Sequence, residues 1–442
     1  MKKNNNRFYI ILAIVGLLGV SWYQLLNTAM SKQAEYDGYI EKARASDDAG
    51  VRTDALEAYN EAKGMADSIE LREEMAQFYK KNYDENAWGD FCVQIVEDFP
   101  TESKSYEILM NYYQTVHDYT MCFSTYDEAK KQHLNTEAMD NIYNKMYYDV
   151  DVTTTKMFDV GSFSGGLCPV STNGTVWGYM TSSGAITIGT SYKKVSGFTS
   201  SGFAAVMTDD EQYQIIDTTG EIKYTDSKKD ERKITDMGLY SSDKIAAQIN
   251  GKYCYMDINF EALFGSYDYA TTFAGDYAAV QEGDVWKIIS STGEQVGSAT
   301  FEDIKVDGAL VAFRNGVAFA KKDGKYYLIN TNGEIICDTA FEDARAFSSE
   351  GYAAAKYEGS WGFVDTTGKF IINPQYMDAR SFTNGLAAVT DGEKWGYIND
   401  NNDLVIAAEY DDAKEFSDEG SAFVKQGEEW VMIKMYRQTA GA

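Results

Sequence analysis

Between Glu35 and Met146 the apolar residues recur at intervals of three and four, a spacing typical of amphipathic helices. Leu71, Met75 and Phe78 are one such set. Proline is nearly absent, and polar or glycine-containing breaks divide the stretch into segments of about 12–15 residues, the length of helices in hairpins. We therefore predict an α-helical domain over residues 31–150.

Beyond residue 151 the pattern changes to short runs that alternate or are uniformly apolar, which predicts β-strands. An aromatic residue returns eight times, at intervals of 33 to 40 residues. These repeat positions are Trp177, Tyr213, Tyr253, Trp286, Tyr326, Trp361, Trp395 and Trp430. Such a period indicates an internal repeat over residues 151–442.

A turn recurs seven residues after each of the first seven aromatics. The residues there are Gly184, Gly220, Phe260, Gly293, Gly333, Gly368 and Asn402. Glycine and asparagine tolerate the positive φ of a bulged hairpin turn, whereas phenylalanine does not. We therefore expect the hairpin after Tyr253 to be built differently from the others.

Each unit has room for about four strands of about five residues, which makes it a small antiparallel sheet. The last unit ends after residues 430–435 without a closing strand, and a spare strand-like run, residues 152–158, precedes the first unit. Pairing these two would close a ring and remove two exposed sheet edges. We predict a β-propeller of seven or eight blades, with an open β-array as the alternative.

The motif Trp-Gly occurs at 177–178, 361–362 and 395–396, followed by Tyr-Met, Phe-Val-Asp and Tyr-Ile-Asn. In these residues the chain resembles the WG beta repeat family over residues 157–434. The resemblance implies a repeat protein that is found with anchors or helical modules. It implies no catalytic site.

In the helical stretch, segments beginning near Asp54, Asn86 and Asp118 are spaced by 32 residues, and Pro100 follows a helix. This region resembles tetratricopeptide-type repeats. The resemblance implies about three helix pairs with a concave face that binds peptides or other proteins. A helical spacer or dimer arm is the alternative.

The first 30 residues form a separate segment. Lys2, Lys3 and Arg7 precede an uncharged apolar run from Phe8 to Leu26, which as a helix would extend about 28 Å, enough to cross a bilayer core. We predict a single-pass transmembrane signal anchor over residues 1–30, with a cytoplasmic N-terminus and the bulk of the chain extracytoplasmic at the cell membrane. A cleaved signal peptide is the competing interpretation.

Charge narrows the list of partners. The chain has a net charge of −28, and both residues 31–150 and residues 151–442 are acidic. Acidic surfaces repel phosphate backbones, so we expect no nucleic-acid partner. The five cysteines are scattered, and we interpret most of them as buried thiols, with a Cys92–Cys122 bridge as the alternative.

The repeat region offers little catalytic chemistry. The two histidines, His117 and His133, both lie in the helical stretch, which leaves carboxylates as the candidate catalytic groups. Four aspartates, Asp303, Asp343, Asp378 and Asp412, occupy one equivalent position of successive units. A catalytic pair needs two unlike environments, so we interpret them as groups that cap turns or bind backbone amides.

Two loops resemble ligand motifs only superficially. Residues 400–403 have oxygen ligands spaced somewhat like a calcium loop, and residues 161–166 are glycine-rich like a phosphate loop. Each lacks the remaining motif residues, so we interpret both as turns. We predict no metal site and no cofactor.

The repeated aromatics could stack on glycans, but a fixed aromatic in every unit is more often a packing element between sheets. Tyr240, Tyr357 and Tyr436 are aromatics that do not recur from unit to unit, and they are better binding candidates. We therefore expect a non-catalytic, membrane-anchored binding or scaffold protein that recognises a protein or a cell-wall glycan. The alternatives are a carbohydrate-active hydrolase with a carboxylate pair in a propeller pocket, and a passive stalk.

Overall fold

The computed structural model describes residues 5–228 and 230–436, and for residues 5–26 it describes the side chain of Trp22 only. The chain divides into two compact units, residues 1–146 and residues 147–442. Each unit has hydrophobic cores of its own.

Seven helices occur in the described part of the first unit. They are α1 (Asn5–Asp48), α2 (Arg52–Met65), α3 (Ile69–Asn82), α4 (Glu85–Asp98), α5 (Ser103–Thr115), α6 (Tyr119–Lys131) and α7 (Glu137–Tyr147). Side chains of Ser68, Asp84 and Asp118 accept amide hydrogens at the starts of α3, α4 and α6, as N-cap residues do. The short loops between helices give successive helical hairpins, as the apolar spacing predicted.

A buried arginine joins α3 to α4. Arg72 donates to Asp67 at 2.8 Å and to Asp98 at 2.6 Å, and its side chain is almost fully buried. Its guanidinium carbon also lies 5.7 Å from the centroid of the Phe91 ring. Because a buried charge without a partner costs several kcal/mol, Arg72 needs both carboxylates, and its contacts with Asp98 and Phe91 tie α3 to α4.

Among the described residues, no helix is both long and apolar enough to span a bilayer. The expected anchor over residues 1–30 falls mostly on residues whose side chains lie outside the described part, and it remains a prediction.

The described part of the second unit contains eight β-sheets, here called blades and numbered in chain order. Blades one to four contain β2 (Asp159–Val160), β3 (Leu167–Ser171), β4 (Trp177–Thr181), β5 (Ile186–Tyr192); β6 (Lys194–Val195), β7 (Phe203–Met207), β8 (Tyr213–Asp217), β9 (Ile222–Thr225); β10 (Ile234–Met237), β11 (Ile245–Ile249), β12 (Lys252–Met256), β13 (Ala262–Tyr267); β14 (Tyr269–Ala270), β15 (Tyr277–Glu282), β16 (Val285–Ser290).

Blades five to eight contain β17 (Asp303–Ile304), β18 (Val317–Lys322), β19 (Lys325–Asn330), β20 (Ile335–Phe341); β21 (Asp343–Ala344), β22 (Tyr352–Tyr357), β23 (Ser360–Asp365), β24 (Phe370–Tyr376); β25 (Asp378–Ala379), β26 (Leu386–Thr390), β27 (Trp395–Asn399), β28 (Leu404–Tyr410); β29 (Asp412–Ala413), β30 (Ser421–Gln426), β31 (Glu429–Met435) and β1 (Val150–Met157). The order within each blade is antiparallel and follows the chain, except in blade eight, where β1 is the last strand.

The ring closes through β1. This first strand pairs with β31, with Val150 opposite Met435 and Met157 opposite Trp430. Buried residues of blades eight and one, among them Phe423 and Met180, then form one core cluster. The closure predicted from the spare run at residues 152–158 is confirmed, the propeller has eight blades, and the open array is excluded.

The hairpin after Tyr253 corrects one expectation. Phe260 has φ of 62°, in the left-handed region, as do the six other turn residues. Asp257 accepts the amides of Asn259 and Glu261, just as Asp217 accepts two amides in blade two. The prediction of a differently built turn is wrong. Phe260 tolerates a backbone strain of about 1–2 kcal/mol because its side chain is buried in the core shared by blades two and three.

Candidate functional site

The eight repeated aromatics occupy equivalent positions near the start of the third strand of each blade. Six of them are buried, and Trp177 and Trp395 are half-buried. In four consecutive blades a cation lies over the ring of the same blade. The pairs, with distances to the ring centroid, are Lys305 over Tyr326 at 4.4 Å, Arg345 over Trp361 at 5.0 Å, Arg380 over Trp395 at 5.2 Å and Lys414 over Trp430 at 5.1 Å.

Three of these cations also reach the next blade. Lys305 lies 2.9 Å from Asp343, Arg345 lies 3.0 Å from Asp378, and Arg380 lies 2.9 Å from Asp412. The same three aspartates each accept the amide of the following alanine at 2.8 Å. We call this chain of contacts the cation ladder.

The ladder accounts for the aspartates that the sequence singled out. They are placed one per blade, at successive blade junctions, and the structure does not bring them together as a pair. Asp303, the fourth, accepts the hydroxyl of Tyr326 at 2.5 Å. Each carboxylate is thus held by contacts that join strands or blades.

The glycine of the Trp-Gly motif is explained by a close approach of the neighbouring strand. A Cβ on Gly362 would lie 2.6 Å from the carbonyl oxygen of Ile372, because the fourth strand bulges toward it. The same approach occurs at Gly178 and Gly396. Only glycine leaves room for the neighbouring backbone there.

The residue after that glycine faces the next blade. The hydroxyl of Tyr397 donates to the carbonyl of Lys414 at 2.8 Å, and Tyr179 makes the equivalent bond to Ser196. Burial raises the pKa of both phenols, which keeps them protonated as donors. Trp, Gly and Tyr therefore each join neighbouring strands or blades.

The ladder covers only half of the ring. Blades one to four have Gly161, Ser196, Gly238 and Thr271 where the other blades have a cation. In blade four Tyr269 replaces the aspartate, and its ring lies 5.1 Å from that of Tyr253 and 5.6 Å from that of Trp286. Aromatic contacts take the place of the charges at this junction.

A loop of blade five reaches across the ring to blade one. Asp307–Ala312 are six residues between the first two strands of blade five that have no counterpart in blade seven. Gly308 in this loop lies against Ser162 of blade one, on the opposite side of the ring, since a Cβ on Gly308 would come 2.8 Å from the serine Oγ. Asp307 stabilises the loop by accepting the amides of Ala309 and Val311 and the guanidinium of Arg314.

Sequence reasoning missed this loop, although a signal was present. The interval from Trp286 to Tyr326 is 40 residues, at the upper end of the range. The interval from Tyr213 to Tyr253 is equally long and contains a charged loop in which buried Asp226 accepts Arg232 at 3.1 Å.

The three tyrosines proposed as binding candidates are not equivalent. Tyr240 is buried, its hydroxyl donates to Asp243 at 3.0 Å, and its ring packs 5.9 Å from that of Phe203. It therefore belongs to the core, which corrects that expectation. Tyr357 and Tyr436 are half-buried, and Tyr357 packs against Phe370.

The two superficial motifs lie in turns. Asn399 accepts the amides of Asn401 and Asp403, which makes residues 400–403 a hairpin turn, and residues 161–166 connect β2 to β3. Across the described residues no group of His, Cys, Asp and Glu side chains is arranged to hold a metal ion.

All five cysteines are free thiols. Cys92 and Cys122 are fully buried, and burial raises the pKa of each to about 12. A bridge between them is absent from the structure, and the thiols are poor nucleophiles.

The helical unit contains a groove between α3 and α5. Two adjoining cavities of about 160 and 470 Å³ lie there, and they share Glu73, Lys104 and Glu107. The groove residues of α3 are Ile69, Glu70, Glu73, Ala76, Gln77 and Lys80, and those of α5 are Ser103, Lys104, Glu107, Ile108 and Asn111. Their spacing of three and four places each set along one face of its helix.

A charge network runs along the middle of this groove. Lys104 lies 3.0 Å from Glu73 and 3.2 Å from Glu107, and Thr136 donates to Glu107 at 2.6 Å. The hydrogen bond to Glu73 and the neighbouring carboxylates raise the pKa of Lys104. Buried Trp88 lines the smaller cavity, with the Lys80 ammonium 4.9 Å from its ring centroid.

The family match lies in the second unit. The family described as WG containing repeat matches at residues 177–211, 266–286, 303–326, 328–360, 361–395 and 395–430. No curated protein matches the chain.

Solved structures resemble the chain at low sequence identity. BamB from Moraxella catarrhalis is 11% identical over 65% of this chain and 98% of its own, with a TM-score of 0.42. The computationally designed Ika8 protein is 11% identical over 64% of this chain and 98% of its own, with a TM-score of 0.43. Hsv2p from Kluyveromyces lactis is 10% identical over 57% and 96%, with a TM-score of 0.37.

Proposed function

For a chain whose C-terminal region carries WG containing repeats in an eight-bladed propeller, we propose a non-catalytic scaffold function in which the helical groove binds a segment of another protein. The observation that carries this proposal is the groove itself. It combines an apolar floor, Ala76 and Ile108, with polar side chains such as Gln77 and Asn111 along both walls. Amide side chains beside an apolar floor suit an extended polypeptide, which needs partners for its backbone groups.

The propeller supports the same proposal, because its repeated aspartates and aromatics have structural roles. The repeated aspartates bind cations and backbone amides, and the repeated aromatics are covered by cations or packed between blades. These contacts favour a rigid platform over a hydrolase with a carboxylate pair, which requires two acids across one sugar bond. They also leave few open aromatic faces for a cell-wall glycan.

We further propose that residues 1–30 anchor the scaffold in the cell membrane, with residues 31–442 outside. The apolar run from Phe8 to Leu26 and the cations before it support this proposal. Alkaline carbonate extraction is a direct test. The full chain is expected to stay with the membrane pellet, and a chain lacking residues 1–30 is expected to be released. Release of both would contradict the anchor.

Substitutions that fill the groove with a bulky side chain test whether it binds a partner. Gln77→Trp and Asn111→Trp place bulky side chains at exposed positions that line the smaller cavity. Glu57→Trp, on an exposed position of α2, is the matched control. The full chain in a neutral detergent would be used to capture proteins from solubilised envelope. The expected result is a partner retained by the wild type and the control and lost by both groove variants. Equal retention by all four proteins would contradict the proposal.

A further inference from the structure

The charges of the groove identify the chemistry of its partner. Four glutamates line the larger cavity, Glu70, Glu73, Glu102 and Glu107, and the single cation among its lining residues is Lys104. The whole segment of residues 31–150 is also strongly acidic. The smaller cavity adds Lys80 and no further carboxylate, so the excess of negative charge lies in the larger cavity, and the field there attracts positive charge.

Lys104 shows how a cation is held there. Its ammonium lies between two carboxylates, one on each wall of the groove, at 3.0 Å from Glu73 and 3.2 Å from Glu107. Glu107 is mostly buried and is oriented by the hydroxyl of Thr136, whereas Glu73 and Lys104 are about two-fifths exposed. Glu73 and Glu107 therefore form a cation-binding position on a solvent-accessible face, and the ammonium group of Lys104 occupies it.

We propose that the groove between α3 and α5 binds an extended basic segment of a partner protein, whose lysine or arginine side chains bind the carboxylates that Lys104 contacts. This inference rests on the proposed function and names the partner's charge. Three carboxylates remain in excess over Lys104 in the larger cavity, so a basic segment gains attraction even before it displaces the internal lysine.

The length of the groove matches a short extended segment. The two cavities follow one another along helices of 14 and 13 residues. A helix of that length spans about 20 Å, which an extended chain covers with about six residues. Arginine or lysine side chains in the part of the segment that lies over the larger cavity would meet the glutamates.

The test uses the full chain in neutral detergent and labelled peptides of about ten residues, long enough to cover those six. One peptide alternates Lys and Ala, a second alternates Glu and Ala, and a third alternates Ser and Ala. The Lys peptide is expected to bind, and its affinity is expected to fall at least about tenfold when salt is raised from about 50 to about 300 mM. Binding of the Ser or Glu peptide at least as tightly would overturn the basic-partner inference and leave the proposed groove function standing.

Reciprocal variants give the inference its sharpest test. Glu73→Gln with Glu107→Gln is expected to weaken binding of the Lys peptide at least about tenfold, because two carboxylates that contact cations are lost. Lys104→Gln is expected to tighten binding about threefold or more, since the internal competitor is removed. Glu57→Gln with Glu61→Gln makes the same charge change on exposed positions of α2 and is expected to have little effect.

Two further results would overturn the proposal. One is the absence of binding of the Lys peptide to wild type at low salt. The other is an equal loss of affinity in the groove and control variants, which would show that net charge alone attracts the peptide. The steric variant Gln77→Trp distinguishes the groove as a binding site from the basic character of its partner. If Gln77→Trp loses the natural partner while the charge variants bind the Lys peptide as wild type does, the basic segment is refuted but the groove is not.

Discussion

Arg380 contacts Trp395 of its own blade and Asp412 of the next, with its guanidinium carbon 5.2 Å from the ring centroid and a nitrogen 2.9 Å from the carboxylate. This contact repeats at two neighbouring junctions, where Lys305 and Arg345 take the same position. The blades of this half of the ring are therefore joined by charge and aromatic contacts in addition to their apolar cores.

Arg380→Ala should lower the free energy of unfolding by about 2–4 kcal/mol, because it leaves Asp412 half-buried without its cation and uncovers Trp395. The control is Lys233→Ala. Lys233 pairs with Glu211, and both side chains are more than half exposed, so the expected loss is below about 0.5 kcal/mol. Urea unfolding followed by tryptophan fluorescence measures both, and equal losses would contradict the role given to the ladder.

Gly362→Ala should destabilise the propeller by about 2 kcal/mol or more, because the new methyl group would lie 2.6 Å from the carbonyl oxygen of Ile372. Gly189→Ala is the matched control in a strand of blade one, where nothing lies within 4 Å of the position that the new methyl group would take. Thermal unfolding midpoints compare the two. A loss of stability in the control as large as that at Gly362 would refute the close-approach explanation.

The helical unit should lose stability in acid through Glu74. Hydrogen bonding from Arg44 lowers the pKa of Glu74 below its ordinary 4.5. Because its pKa is lower in the folded state, the ionised Glu74 carboxylate stabilises the folded state above pH 4.5. This contribution disappears as the pH falls through the lowered pKa. The stability gap between wild type and Glu74→Gln should therefore be constant near neutral pH and shrink below pH 4.5. A gap that widens in acid would contradict the assignment.

The thiols should differ in reactivity. Burial raises the pKa of Cys92 and Cys122 to about 12, and Cys168 is also fully buried. A maleimide reagent at pH 7 should label Cys337, which is partly exposed, well before these three. Mass spectrometry of digested protein would identify the order. Early labelling of Cys92 would show that α4 opens readily.

The periodic residues made much of the propeller predictable. Eight aromatics and the turn seven residues after most of them mark the third strand and the following hairpin, and the spare run at residues 152–158 predicted the closing strand. These signals are local, because a strand and its hairpin are specified within about 15 residues of sequence.

The contacts that join blades were not predictable in the same way. Arg345 and Asp378 are 33 residues apart and meet only because the ring brings the first strands of adjacent blades together. Gly308 and Ser162 belong to opposite blades, so no pattern along the chain connects them. At Phe260 the sequence did indicate a local preference, since phenylalanine disfavours positive φ. Burial of its side chain in the core outweighed that preference.

The groove was predicted only as a concave face. Glu73 and Lys104 lie on different helices, and their pairing depends on how α3 packs beside α5. Helix periodicity shows which residues share a face of one helix, but it does not show which face meets its neighbour.

Hydrogen exchange of the full chain, with and without the alternating Lys peptide, locates the binding site of a basic segment. We expect slower exchange in α3 and α5 on binding, unchanged exchange in the eight blades, and no protection in the Glu73→Gln, Glu107→Gln variant. Protection located in the propeller, or protection of α3 and α5 that persists in that variant, would contradict recognition of a basic segment by the groove.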